Sequence, residues 1–159
     1  MKLNDELSNT DIDRIVKALD WSEFYLGTFS RDEINNIKMQ TDKPQFLIIN
    51  MQPSTKGNGT HWVCAIHFPG YNLIDYFDSF GAPEPTNVKS FAKNNNIDQI
   101  ITNKIEYQPF GSDLCGYYCL YFINNRLNHL HPHEIFPHET MEKNNELVKR
   151  FKEHIQKLL

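Results

Sequence analysis

No apolar run in this 159-residue chain approaches the roughly 18 residues that a helix needs to cross a bilayer, so no membrane association is expected. Residues 1–10 are polar and acidic without an apolar segment, and a secretory leader is not expected. Cysteine is scarce. Cys64, Cys115 and Cys119 are odd in number and irregular in spacing, which argues against a disulfide framework and suits free thiols in a reducing compartment. An excess of basic residues is also missing. With a formal charge of −4 and a sequence pI near 5.9, the protein offers no overall attraction to nucleic acid, although a local basic patch stays compatible with this. There is no internal repeat and no low-complexity linker. What is present is 40% hydrophobic and 13% aromatic residues, enough for a packed core in one domain spanning residues 1–159.

Hydrophobic spacing organises the chain as α+β. Ile12, Ile15, Val16 and Leu19 recur at helical intervals, and Thr10 with Asp13 forms a weak capping box, predicting a short helix to about residue 20. Residues 24–29 read as a strand or extended segment, and the polar stretch to Lys43 carries no assignment. The run Phe46, Leu47, Ile48, Ile49 predicts a buried strand. A Pro- and Gly-bearing loop over 51–60 then leads directly to His61. From His61 to Phe68 both alternating sets are largely apolar, as in a central strand covered on both faces. Pro69, Gly70 and Asn72 turn the chain into a second strand over 73–78, making a hairpin. A helix over 87–94 and a strand-like run over 100–107 follow. Residues 128–138, rich in His and Pro, read as a loop, and 139–159 as an amphipathic helix with Met141, Leu147, Val148, Phe151, Ile155 and Leu158 on its apolar face.

Residues 108–122 carry the chemistry. Pro109, Gly111, Ser112 and Asp113 form turns, and the chain becomes almost wholly apolar from Leu114 to Ile123. This boundary predicts a helix start capped by Ser112 or Asp113, with Cys115 in the first turn, where the helix dipole favours negative charge and eases thiol ionisation. Cys119, further along a buried helix, is expected to be inert. A cysteine on an apolar helix is ordinarily a core residue, and a histidine before a strand is ordinarily structural. Here a complete set stands in order: Cys115 as nucleophile, His61 as base, Asp78 to orient that base, and Gln108 to donate an amide N–H to the developing oxyanion. The hairpin would bring His61 and Asp78 together although they are 17 residues apart (78 − 61).

The combination Gly59-Thr60-His61-Trp62, then Tyr76-Phe77-Asp78-Ser79-Phe80-Gly81, then Gln108 followed seven positions later by Cys115-Gly116, resembles the adenovirus maturation protease (adenain) family. That family belongs with the SUMO and ubiquitin-like-protein proteases. Residues 12–29, with Ile15-Val16-Lys17 and Tyr25-Leu26-Gly27-Thr28, look like the start of the adenoviral enzymes, and residues 144–154 are similar too. The resemblance implies an adenain-like fold of the papain-like superfamily: a central mixed or antiparallel sheet flanked by helices, with the nucleophile at the N-terminus of a buried helix. It assigns Cys115, His61, Asp78 and Gln108 the same four roles, and places Trp62 as packing beneath the site. Adenoviral enzymes usually carry Glu at the Asp78 position, whereas SUMO-protease relatives carry Asp.

Two departures follow. Adenoviral enzymes are activated by a peptide tethered through a disulfide, yet no cysteine lies between Cys64 and Cys115 to accept one, so an activating peptide would bind noncovalently. They also use DNA as a cofactor, which the acidic charge here argues against. No cofactor or metal is required. The implied activity is that of a cysteine endopeptidase acting on viral capsid and other structural precursors near Gly, as a monomer in the virion and infected cell. The source would be a virophage, a transposon-related virus or a distant adenovirus relative. A protease for ubiquitin-like modifiers is the first alternative and a non-catalytic interaction domain the second. His129, His131, His133 and His138 read as a surface loop rather than a metal site, His67 and His154 as ordinary strand and helix residues, and Tyr117, Tyr118 and Tyr121 as core. Lys143, Lys149, Arg150, Lys152 and Lys157 read as a solvated helix face.

Overall fold

The computed structural model describes residues 2–52, 61–136 and 140–159, so most of the loop over 51–60, including Gly59 and Thr60, and also His138, lie outside the described residues. The first helix, α1 (Asn9–Ala18), buries Ile12, Ile15 and Val16. Its capping box is Ser8 with Asp11 rather than Thr10 with Asp13: the Asp11 N–H donates to Ser8 Oγ at 3.1 Å and the Ser8 N–H to Asp11 Oδ2 at 3.0 Å. The helix therefore starts earlier than the Thr10 signal predicts.

Five strands form one mixed sheet in the order β1 (Tyr25–Ser30), β2 (Gln45–Asn50), β3 (Trp62–His67), β4 (Leu73–Phe77) and β5 (Gln99–Thr102). The outer pairs β1/β2 and β4/β5 are parallel, and the inner pairs β2/β3 and β3/β4 are antiparallel. The expected hairpin is therefore β3 with β4, pairing Cys64 with Phe77 and Ile66 with Asp75. Alternation along β3 sends Trp62, Cys64 and Ile66 into the larger core and Val63 and Ala65 into the smaller one. The larger core packs the sheet against α1, α3 (Cys115–Leu127) and α5 (Met141–Leu158), and the smaller against α2 (Thr86–Asn94).

Three expectations are corrected by local pairing. The strand expected over 100–107 stops at Thr102 because Asn103 takes over the hydrogen bonding: its Nδ2 donates to the carbonyls of Asp78 (2.6 Å) and Ile105 (3.1 Å), and its Oδ1 accepts from the Asp78 N–H (3.1 Å). The loop over 128–138 contains a short helix, α4 (Pro132–Ile135), since Pro132 suits a first turn and His131 with Glu134 forms a capping box. On α5 the buried set is Asn144, Val148, Phe151 and Ile155, whereas Met141 and Leu158 at the helix ends are exposed. Tyr117 and Tyr118 are fully buried and Tyr121 packs against the same core.

Candidate active site

The hairpin, the loop before α3 and the first residue of α3 converge at one end of the sheet. His61 immediately precedes β3, and Asp78 immediately follows β4. Antiparallel pairing sets these ends side by side, and His61 Nε2 lies 2.9 Å from Asp78 Oδ1. Asp78 is 2% exposed and held from several sides. Its Oδ1 also accepts from the Phe80 N–H at 2.9 Å, and Asn103 clamps its backbone N–H and carbonyl. The Phe80 ring sits 5.2 Å from the His61 ring, limiting how the imidazole can turn.

Cys115 is the first residue of α3 and is 5% exposed. Its Sγ accepts the Trp62 backbone N–H at 3.5 Å, and the sulfur lies near enough to the His61 side chain to raise the histidine's pKa. With Nε2 committed to Asp78, the other ring nitrogen, Nδ1, is the one left to face the sulfur. Sulfur, imidazole and carboxylate thus follow one another in that order. Burial pulls the His61 pKa down, but the hydrogen bonds and charges of Asp78 and Cys115 outweigh it and push the value up to about 9. Both partners thus favour the protonated form of the ring.

Gln108 is fully buried, and its side chain is fixed at both ends. Its Oε1 accepts from Ser79 Oγ at 2.5 Å, and its Nε2 donates to the Ser112 carbonyl at 2.7 Å. Only this orientation of the amide works, because flipping it would set two oxygens against each other at Ser112. One amide hydrogen is used at Ser112, and the second is available to another acceptor. The backbone N–H groups of Tyr107 and Gln108 both donate to the Ser79 carbonyl, at 2.8 and 3.1 Å. The segment carrying Gln108 is thereby sewn to the segment carrying Asp78.

The expected cap by Ser112 or Asp113 is not the one found. The N-cap residue is Leu114, with no side-chain cap; Asp113 is exposed, and the Ser112 hydroxyl donates to Asn145 Oδ1 at 3.0 Å. Leu114 takes the cap position because its side chain is pinned in the core at 3% exposure. Behind the site, Trp62 Nε1–H donates to the Leu7 carbonyl at 3.1 Å. A Cβ on Gly116 would come within 3.0 Å of Leu7 Cδ1 and 3.2 Å of Trp62 Cδ1, so glycine lets the start of α3 approach β3.

All four candidate residues are therefore placed in this region: His61 and Asp78 in direct contact, Cys115 beside His61, and Gln108 joined to the loop preceding Cys115. Ser79, Asn103 and Asn145 hold them; Ser79 lies within the motif around Asp78, whereas Asn103 and Asn145 carry no periodicity or motif signal of their own. Cys64 and Cys119 are free and buried; burial pushes the Cys119 thiol well up, and its Sγ–H donates to the Trp62 carbonyl. The His131 and His133 rings stack 5.6 Å apart, and among the described residues no group of three or more His, Cys, Asp or Glu is placed to hold a metal.

No family model matches the chain, and no curated protein matches it. Solved structures do. It is similar to the ASFV pS273R protease with a TM-score of 0.68 and 16% identity, over 96% of this chain and 68% of that one. It is similar to the SUMO protease Ulp1, with its catalytic cysteine oxidized to a sulfinic acid, at a TM-score of 0.59 and 18% identity, over 95% of this chain and 75% of that one. At these identities the likeness concerns architecture. The protein has the α+β fold seen in the ASFV pS273R protease and the SUMO protease Ulp1.

Proposed function

We propose that the protein is a cysteine endopeptidase in which Cys115 is the nucleophile, His61 the general base and acid, Asp78 the group that orients His61, and Gln108 the oxyanion donor. The observation that carries this reading is the His61–Asp78 hydrogen bond at 2.9 Å with the Cys115 sulfur beside the same ring. In this reading His61 takes the Cys115 proton, giving a thiolate beside an imidazolium. The thiolate attacks the scissile carbonyl carbon, and the oxygen that becomes negative is met by Gln108 Nε2–H and the Cys115 backbone N–H. His61 gives its proton to the departing amine, leaving an acyl-enzyme. The neutral ring then takes a proton from water, whose oxygen attacks the acyl carbon and releases it as a carboxylic acid, restoring the thiolate beside a protonated ring.

For the substrate, the reading is a viral structural or capsid precursor cleaved next to glycine, in the virion or infected cell. The adenain-like sequence features and the similarity to a viral protease support it. Asp rather than Glu at position 78, together with the similarity to Ulp1, favours a second reading as a protease for ubiquitin-like modifiers. The test is to incubate the protein and its Cys115→Ala variant with a peptide library randomised around Gly and with modifier conjugates. Cys115-dependent cleavage next to Gly in peptides supports the first reading, and cleavage of conjugates alone supports the second. No Cys115-dependent cleavage of either, despite rapid Cys115 alkylation, removes the protease assignment.

A further inference from the structure

Phe110 is 97% exposed, more than any other large apolar side chain among the described residues. Apolar side chains scattered singly over a surface are ordinary, so exposure alone assigns nothing. The backbone beneath this one does. The Ser112 N–H donates to the Pro109 carbonyl at 3.1 Å, and Gly111 has φ +86°, so residues 109–112 form a tight turn with Phe110 and Gly111 at its centre, the type II arrangement. The far end of that turn is tied down twice. Gln108 Nε2–H donates to the Ser112 carbonyl at 2.7 Å, and Ser112 Oγ–H donates to Asn145 on α5 at 3.0 Å. A large apolar ring is thus held out into water by a stiff turn whose anchor is the same amide that faces the oxyanion in the reading above.

Resting on that reading, we propose that Phe110 is a specificity-determining residue that packs against an apolar side chain flanking the scissile bond of the polypeptide substrate. The ends of a β-turn lie within about 7 Å of each other. An extended substrate advances about 3.3 Å per residue. With the scissile carbonyl at Gln108 Nε2, the side chains within reach of the Phe110 ring are those next to the bond, not remote ones. Because the turn is already rigid, covering the ring sacrifices little conformational freedom, which makes the contact selective for apolar over polar side chains.

The experiment uses the whole protein and a fluorogenic peptide library with Gly at the cleaved bond and each flanking position set to Leu or Ser. At one flanking position, wild type should prefer Leu by about tenfold in kcat/KM, the scale set by covering part of one aromatic side chain. Phe110→Ala should bring that ratio close to one, and Phe110→Trp should restore it. The rate of Cys115 alkylation, compared across variants, reports whether the site itself is intact. Cys115-dependent cleavage whose Leu/Ser ratio is the same in wild type and Phe110→Ala overturns the assignment of Phe110 alone. Absence of Cys115-dependent cleavage in wild type overturns the protease reading and this inference with it. A concentration-dependent self-association that Phe110→Ala abolishes, with the ratio unmoved, would place a second copy on the ring and likewise overturn the inference.

Discussion

Ser79→Ala removes a hydroxyl that touches neither sulfur nor imidazole, yet it should slow catalysis through Gln108. Ser79 is fully buried, and its Oγ donates to Gln108 Oε1 at 2.5 Å. Deleting it leaves Oε1 buried and unsatisfied, which costs about 1–3 kcal/mol of stability. The Gln108 amide keeps only its bond to the Ser112 carbonyl and gains rotational freedom, so its second N–H is no longer aimed. Losing an oxyanion donor outright lowers kcat about 10²–10³-fold. Misaiming a donor that is still present should lower kcat about tenfold, with KM little changed. In a Gln108→Ala background there is no Oε1 for Ser79 to hold, so adding Ser79→Ala should lower kcat no further. The two losses should therefore fall short of multiplying by about 1.4 kcal/mol, the equivalent of tenfold. Kinetics of wild type, both single variants and the double variant close the cycle, and Cys115 alkylation in Ser79→Ala should keep the wild-type rate. Multiplying losses would refute the reasoning, because Ser79 would then act through some partner other than Gln108.

The remaining predictions concern the supports of the site. The His61 pKa is raised from 6.5 to about 9, so stabilisation by its partners is complete below pH 6.5 and is lost as pH rises through about 9; the Tm gap between wild type and Asp78→Asn should be constant below pH 6.5 and shrink above it. Arg126→Ala should destabilise by about 3–5 kcal/mol in urea titration, because Arg126 Nη2 lies 2.7 Å from Asp75, whose side chain is only 6% exposed and would be left as an unpaired buried charge. Gly116→Ala should destabilise by about 1–3 kcal/mol, since the new Cβ must displace Leu7 or Trp62, and should slow Cys115 alkylation because the Trp62 N–H holds the sulfur.

Much of this arrangement is legible in the sequence because it follows from a single hairpin. The continuous apolar run of residues 62–66 and the turn at Pro69-Gly70 fix which strand ends meet, and a meeting of ends is what brings His61 to Asp78. The supports were not legible, for the same reason in each case. Asn103 clamps Asp78 from 25 residues away, and Asn145 fixes the Ser112 loop from 33 residues away. Such bonds depend on where a polar side chain finds a partner after the core has formed, and no spacing rule encodes that. Leu3 and Leu7 illustrate it again: residues 1–10 read as a polar end, yet both leucines are buried, and the Leu7 carbonyl accepts the Trp62 indole N–H.

The two histidines at either end of β3 show how topology, rather than residue type, separates a structural group from a candidate reactive one. His67 is 6% exposed, and its Nε2–H donates to the Tyr71 carbonyl at 2.8 Å within the turn that closes the hairpin. That neutral acceptor ties one ring nitrogen and offers no charge. His61 stands at the open end, where β4 runs out into Asp78 and the start of α3 presents a sulfur. The closed end of a hairpin can give a histidine only backbone partners from its own turn. The open end can draw on a second strand end and a helix start at once, which is what a carboxylate, an imidazole and a thiol need in order to act together.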